Sequence, residues 1–382
     1  MIETAAIRAF LEERHIAFAA EVGAWVAREI GPLPAPPDDA ACRLQAREIL
    51  RKLGSTGWIG AADLRSTALV REFLAAASPL ADAVFALQCL GSKPIELAGD
   101  EALRRRWLPA VARGEAMAAF AMTEPEAGSD VTAIRTAARR EGEEYVIDGV
   151  KTLISNAGIA DFYTVFASTH PEKTKQGLSC FVVDATTPGV RLAKTQILSA
   201  PHPLGEVAFE RCRVPASCRI GAEGEGYKIG TATLDHLRPT VGAAACGMAA
   251  RALDEATAHA LRRRQFGKTL AEHQLIQEKI ARMATDLAAS RLLVYRAAWE
   301  KDRGAERITL EAAMAKAFAT EAAQRIVDDA VQILGGVGVM AGQPVERLYR
   351  AVRALRIYEG TTEIQHLIIA RHWLEGKGCA HS

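Results

Sequence analysis

The runs YVIDGVKTLI (145–154), FYTVFAS (162–168), LSCFVVD (178–184) and EVAFERCRV (206–214) decide the architecture. Each is short, rich in β-branched and aromatic residues, and bounded by turn formers, which is the pattern of a strand. Inside the first run, Asp148-Gly149 is a dipeptide that favours a tight hairpin, so two strands are predicted around it. No stretch of about 10–15 residues with helical period separates the runs. An antiparallel all-β unit is therefore predicted, and a parallel Rossmann sheet is not.

On both sides the pattern is helical. Residues 1 to about 118 are rich in Ala, Leu, Glu and Arg, broken at GPLPAPP (31–37) and GSTGWIG (54–60), where Pro and Gly predict loops. After residue 225, Ile276, Ile280, Met283, Leu287 and Val294 recur at helical spacing and predict one buried stripe. A second helix is predicted from Thr309 to the Gly335-Gly336 stop. The order is helices, a small β unit, then helices.

The 382 residues carry 47 Lys+Arg against 46 Asp+Glu, a net charge of +1, which provides no basic field for nucleic acid. Hydrophobic residues make up 49% and charged residues 24%, a globular composition and not a disordered one. Cys42, Cys89, Cys180, Cys212, Cys218, Cys246 and Cys379 are scattered without zinc-site spacing, which predicts free thiols in a reducing compartment. The N-terminus, with Glu3, Arg8, Glu12, Glu13 and Arg14, has no signal-peptide core. The longest uncharged small-apolar run, Val241 to Ala250, is far short of the ~20 residues that span a bilayer. A cytoplasmic protein without membrane or nucleic-acid partners is expected.

Three apparent motifs lack their context. Gly336-Val-Gly338-Val-Met-Ala341 fits a dinucleotide fingerprint but follows a helix. Gly267-Lys268-Thr269 resembles a P-loop end, yet the first glycine would have to stand at Arg262. His259 and His273 belong to no metal-ligand spacing, so surface roles are expected and no metal site is.

Two segments carry chemistry. AMTEPEAGSD (121–130) gathers Thr123, Ser129 and turn amides, which suit either a flat polar-edged ligand or an ordinary capped turn. In YEGTTEIQ (358–365), Thr362-x-x-Gln365 reads as a capping box and puts Glu359 just before a helix. A carboxylate there either complements the helix dipole or, facing an apolar pocket, becomes a general base.

Together with LGSKPIELAGDEALRRRWLPAVARGE (90–115), KTLISNAG (151–158), LDHLRPTVGA (234–243), RRQFGKTLAEHQ (263–274) and QILGGVG (332–338), these segments resemble the acyl-CoA dehydrogenase family in order along nearly the whole chain. The resemblance implies an α+β fold: an N-terminal helical domain (1–118), a central antiparallel β-barrel-like domain (119–225) and a C-terminal four-helix-bundle domain (226–382). It implies an FAD enzyme that oxidises an acyl-CoA thioester to the 2-enoyl-CoA. By the same likeness, Met122 and Thr123 meet the flavin's pyrimidine side and Ser155 its redox-active edge. Arg263, Phe266, His273, Gln274, Gln332 and Gly336 match positions that reach FAD from a neighbouring subunit, and Thr361 and Glu363 match flavin contacts. Ser129, Asp235, Arg238 and Gly360 match substrate contacts. A homo-oligomer follows, a tetramer by family habit and a dimer at least.

Glu359 matches the base that removes the α-proton while the β-hydrogen leaves as hydride to the flavin. Some subfamilies carry the base on an earlier helix, where this chain has Leu237, which cannot do that work. Leu153 stands where many members have Trp, and Arg350-Ala351 replaces a common Arg-Asp pair. Electron-transfer flavoprotein is the expected acceptor. SNAGIADFYTVFA (155–167) and SAPHPLG (199–205) are similar to bacterial members acting on alicyclic or short branched acyl-CoAs. The competing expectations are an oxidase, a dehydrogenase of carrier-protein thioesters, and a non-catalytic flavin-binding relative.

Overall fold

A computed structural model describes residues 4–60 and 63–375; Glu3 and Cys379 lie outside them. The first helices are α1 (Glu13–Glu29), α2 (Asp39–Gly54), α3 (Leu64–Ala77), α4 (Pro79–Ala98) and α5 (Glu101–Ala112). Their starts follow from local chemistry. Asp38, Asp63 and Asp100 each accept a backbone N–H three residues on, at 2.8, 2.7 and 2.8 Å, capping α2, α3 and α5. The two predicted loops fall between α1 and α2 and after α2.

The sheet comprises β1 (Ala118–Ala121), β2 (Ala137–Glu141), β3 (Glu144–Ser155), β4 (Phe162–Ser168), β5 (Leu178–Asp184), β6 (Val190–Gln196), β7 (Leu204–Pro215) and β8 (Arg219–Ile220). Its strand order is β6-β7-β3-β2-β4-β5-β8, with β1 beside β4. The pairing is mostly antiparallel, but β1 runs parallel to β4 and Ala137 of β2 pairs in parallel with Ser168. Tyr145, Ile147, Val165, Phe181, Val207 and Phe209 fill the core on the sheet.

Asp148-Gly149 is not a hairpin turn. β3 continues through it, and the register with β7 shifts between Ile147 and Gly149. The tight turn lies at Gly142-Glu143, with Gly142 at φ +63°. Gly149 serves a bulge instead: a Cβ there would stand 2.4 Å from the Thr136 hydroxyl oxygen. The strand's period simply outlasts its local turn signal.

The chain continues with α6 (Gly226–Arg262), a small hairpin of β9 (Arg264–Gln265) and β10 (Lys268–Thr269), α7 (Gln274–Asp302), α8 (Thr309–Leu334), α9 (Pro344–Leu355) and α10 (Thr362–Glu375). On α7, Met283, Leu287 and Val294 are buried, whereas Ile276 and Ile280 are only partly covered. α8 ends at Gly335 with φ +60°. Thr362-x-x-Gln365 does not close a capping box. The Thr361 hydroxyl accepts the Ile364 N–H at 3.4 Å, while Thr362 turns its hydroxyl to Glu321 at 2.7 Å.

The chain divides into two compact units. One comprises Met1–Leu33, Ala62–Asp82 and Asp235–Ser382; the other comprises Pro34–Ala61 and Ala83–Leu234. Among the described residues, no helix is long and apolar enough to cross a membrane and no His/Cys/Asp/Glu group could hold a metal. Cys42, Cys89, Cys180, Cys212, Cys218 and Cys246 form no disulfide among the described residues.

Candidate active site

In the first unit, Glu359 and Gly360 stand between α9 and α10. The Ile357 and Tyr358 amides donate to the Ala354 carbonyl at 2.9 and 3.1 Å, winding up α9. The next two residues then turn left-handed, Glu359 at φ +55° and Gly360 at φ +91°. For a glutamate this costs on the order of 1 kcal/mol and persists only where the surroundings enforce it.

The surroundings do enforce it. Arg238 on α6 donates Nε to the Glu359 carbonyl at 3.1 Å and Nη1 to Asp235 at 2.6 Å. Asp235 is held in turn by the Thr309 hydroxyl at 2.7 Å. The Gly360 carbonyl accepts from Lys316 Nζ at 2.7 Å and from Gln365 Nε2 at 2.9 Å. Asp235, Arg238, Glu359 and Gly360, expected as site residues, are thus brought together, and Lys316 joins them unforeseen. Its sequence signal was a single cation on the buried alanine stripe Ala312, Ala315, Ala319 and Ala323 of α8.

The carboxyl of Glu359 is aimed into this enclosure. Its Oε2 is sealed from solvent and has no hydrogen-bond partner among the described residues. Burial raises its pKa above the usual carboxylate value, and the positive charges of Arg71, Lys316 and Arg238 oppose that rise. Arg71 is itself buried and paired in a fork with Asp82 at 2.8 and 2.9 Å, with the Thr240 hydroxyl at 2.9 Å. An unpaired carboxylate with elevated basicity and nearby cations suits proton abstraction from carbon. Leu237 is buried and apolar.

Thr361 and Glu363 open α10, where Glu363 is exposed. Its own backbone amide and the Thr361 hydroxyl hold the Glu363 carboxyl below its usual pKa. Arg263, Phe266, Gln274, Gln332 and Gly336 are exposed and His273 is half-buried. Phe266 is 94% exposed at the tip of the β9–β10 hairpin, where it and Gly267 take φ +51° and +81°. Leu275, Val339 and Met340 of this unit are exposed too.

In the second unit, the 121–130 loop is anchored from beneath by Lys151. This fully buried lysine donates to the Met122 carbonyl at 3.0 Å and to Glu124 at 2.8 Å. The Glu124 carboxylate also accepts the Arg135 and Thr136 amides at 2.7 and 2.9 Å. The Thr152 amide donates to the Thr123 carbonyl at 3.0 Å, so the loop is stitched to β3. Met122 is buried, Thr123 half-buried and Ser129 exposed. At the far end of β3, the Ser155 hydroxyl lies 2.7 Å from His202 Nε2. Burial brings the His202 imidazole down to a pKa of about 4, so it is neutral near pH 7. Leu153 is 56% exposed at φ +54°. Ala351 is buried, and Arg350 pairs with Glu346 at 2.5 Å.

Helices before and after a sheet, and a left-handed glutamate with buried cations beside it, form an arrangement that suits acid–base chemistry. The chain matches the acyl-CoA dehydrogenase N-terminal domain over residues 12–115, the middle domain over 119–212 and the C-terminal domain over 224–374. A probable acyl-CoA dehydrogenase of Mycobacterium tuberculosis is 37% identical over 375 residues, covering 94% of this chain and 95% of that protein. The cyclohexane-1-carbonyl-CoA dehydrogenase of Geobacter metallireducens is 41% identical over 291 residues, 76% of each chain. The butyryl-CoA dehydrogenase structure from Megasphaera elsdenii superposes with a TM-score of 0.89 at 31% identity, covering 95% of this chain and 99% of that one. The protein belongs to the acyl-CoA dehydrogenase family, whose members are FAD-dependent enzymes.

Proposed function

We propose that the protein oxidises an acyl-CoA at its α and β carbons with Glu359 as the base. The sealed Oε2 without a hydrogen-bond partner carries this reading. A structural carboxylate would be paired, because burying a charge without a partner is costly. A carboxylate meant to take a proton keeps one oxygen free. Glu359 would accept the α-proton at that oxygen, and the nearby Arg71, Lys316 and Arg238 would favour its charged form beforehand. The negative charge that develops on the thioester oxygen needs a donor in place, and an ordered backbone amide in this loop suits that task.

The chain's polar groups fit FAD. The Thr123 and Met122 backbone is fixed by Lys151 and β3, and Ser155 at the far end of β3 offers a hydroxyl held by His202. Bound FAD supplies the acceptor for the β-hydrogen, which leaves as hydride. Ser129, Asp235, Arg238 and Gly360 are read as substrate contacts, Arg238 and Gly360 chiefly through the loop that they shape. Thr361 and Glu363 are read as further FAD contacts. Exposed Phe266 and its neighbours Arg263, His273 and Gln274, with Gln332 and Gly336, are read as groups offered to FAD across a subunit contact. A tetramer is the assembly proposed, and electron-transfer flavoprotein the acceptor. The likeness to a cyclohexane-1-carbonyl-CoA dehydrogenase supports an alicyclic or short branched acyl chain.

The test is anaerobic titration of the FAD-loaded protein with linear, branched and cyclohexane-carboxyl thioesters. Bleaching of the flavin by one class, lost in Glu359→Gln with FAD still bound, is the expected result. Near-normal bleaching in that variant overturns the assignment of the base.

A further inference from the structure

A lysine with no exposed surface needs a reason to be charged. Lys316 sits on the alanine-rich face of α8, fully buried, and its ammonium donates to the Gly360 carbonyl at 2.7 Å. No carboxylate lies within ion-pair distance of it among the described residues. Its counter-charge is Glu359, one peptide away, the strongest of the charges acting on Lys316, while Arg71 and Lys316 lead the cations acting on Glu359. A direct ion pair would occupy the oxygens of Glu359 and weaken it as a proton acceptor. Seating the ammonium on the neighbouring carbonyl supplies the positive field and leaves the oxygens free.

We propose that Lys316 is a positioning residue for Glu359. It fixes the left-handed peptide at Gly360 and supplies positive charge that favours the ionised carboxylate without touching it. This rests on the reading of Glu359 as the base. Five further neighbours contribute to the field. Arg71, Arg238 and Asp82 act on Glu359, while Arg238, Glu321 and Glu363 act on Lys316. Glu321 is already engaged by Arg356 and the Thr362 hydroxyl, each at 2.7 Å. Burial brings Lys316 down to a pKa of about 8, so the field weakens as pH rises through that value.

The experiment compares the FAD-loaded wild type with Lys316→Gln and Lys316→Met, reading the rate of flavin bleaching by an accepted acyl-CoA across the pH range. Gln keeps a donor for Gly360 and loses the charge; Met loses both. In Lys316→Gln the acidic limb should move up by about one pH unit, because the carboxylate has lost an opposite charge. FAD content should stay the same. In Lys316→Met the plateau rate should also fall, by about tenfold or more. An unchanged profile in Lys316→Gln overturns the proposal. Should Lys316→Met not fold, the Lys316→Gln profile decides alone. Glu359→Gln run in parallel separates the two claims. Retained bleaching there defeats the base itself, whereas loss there with an unshifted Lys316→Gln profile defeats only the role of Lys316.

Discussion

Arg238 Nε lies 3.1 Å from the carbonyl oxygen of Glu359, so one arm of a guanidinium expected to meet the substrate holds the backbone of the proposed base. Its other arm is taken by Asp235 at 2.6 Å, which fixes the fork's orientation. Lysine has the charge but no planar fork to hold these two partners in one fixed geometry.

Arg238→Lys should therefore lower the bleaching rate constant by about 10- to 100-fold, the worth of a hydrogen bond from a charged donor. The spectrally measured affinity for acyl-CoA should change little. Weaker binding with an unaltered rate constant would move Arg238 to the CoA instead.

The rate of flavin reduction should rise with pH through a midpoint above the ordinary glutamate value of 4.5. The sign follows from burial, which favours the protonated form, and only the deprotonated form can take a proton. A rapid-mixing pH series with a non-ionising substrate checks this, and a midpoint at or below 4.5 contradicts it.

Lys151→Met should destabilise the protein by about 3–5 kcal/mol, because it leaves the Glu124 carboxylate buried without its cation. Retention of FAD after gel filtration should fall as well, since the Met122 carbonyl loses its anchor. Acid sensitivity tells the same story. Burial alone would raise the Glu124 pKa, but Lys151 and the Thr136 and Arg135 amides bring it below 4.5. The stability this carboxylate contributes is complete above about pH 4.5 and is lost as pH falls through the lower folded value. Denaturant midpoints measured down the pH scale should show that loss, and Glu124→Gln should flatten it.

Phe266→Asn should leave the hairpin intact, because asparagine tolerates the left-handed turn, while removing an exposed ring. Light scattering should then show a smaller assembly, and the FAD-to-protein ratio should drop. An unchanged mass and ratio would remove Phe266 from any subunit contact.

The strands 162–168 and 178–184 were legible to the residue, because both are short apolar runs with turn formers at each end. β6 was not, since VRLAKTQ lies largely exposed and carries no apolar signal. Asp148-Gly149 misled because a bulge glycine and a turn glycine look alike in one dimension. The association of α1 and α3 with the C-terminal helices depends on contacts far apart in sequence, which local periodicity does not report. Glu359 was placed before a helix by its neighbours, but only the family likeness singled it out. The clamps on its loop were not legible, because Arg238 lies 121 positions from Glu359 and Lys316 lies 44 positions from Gly360.

The two clamps on the Glu359–Gly360 segment come from different helices, Arg238 from α6 and Lys316 from α8. Inserting or deleting one residue in a helix swings every later side chain by about 100° around its axis. An indel in α6 ahead of Arg238, or in α8 ahead of Lys316, would therefore take one cation off its carbonyl even if both helices still formed. Among descendants of this chain, length variation should accumulate in the loops and spare these helical segments, for reasons of angular phase and not of composition.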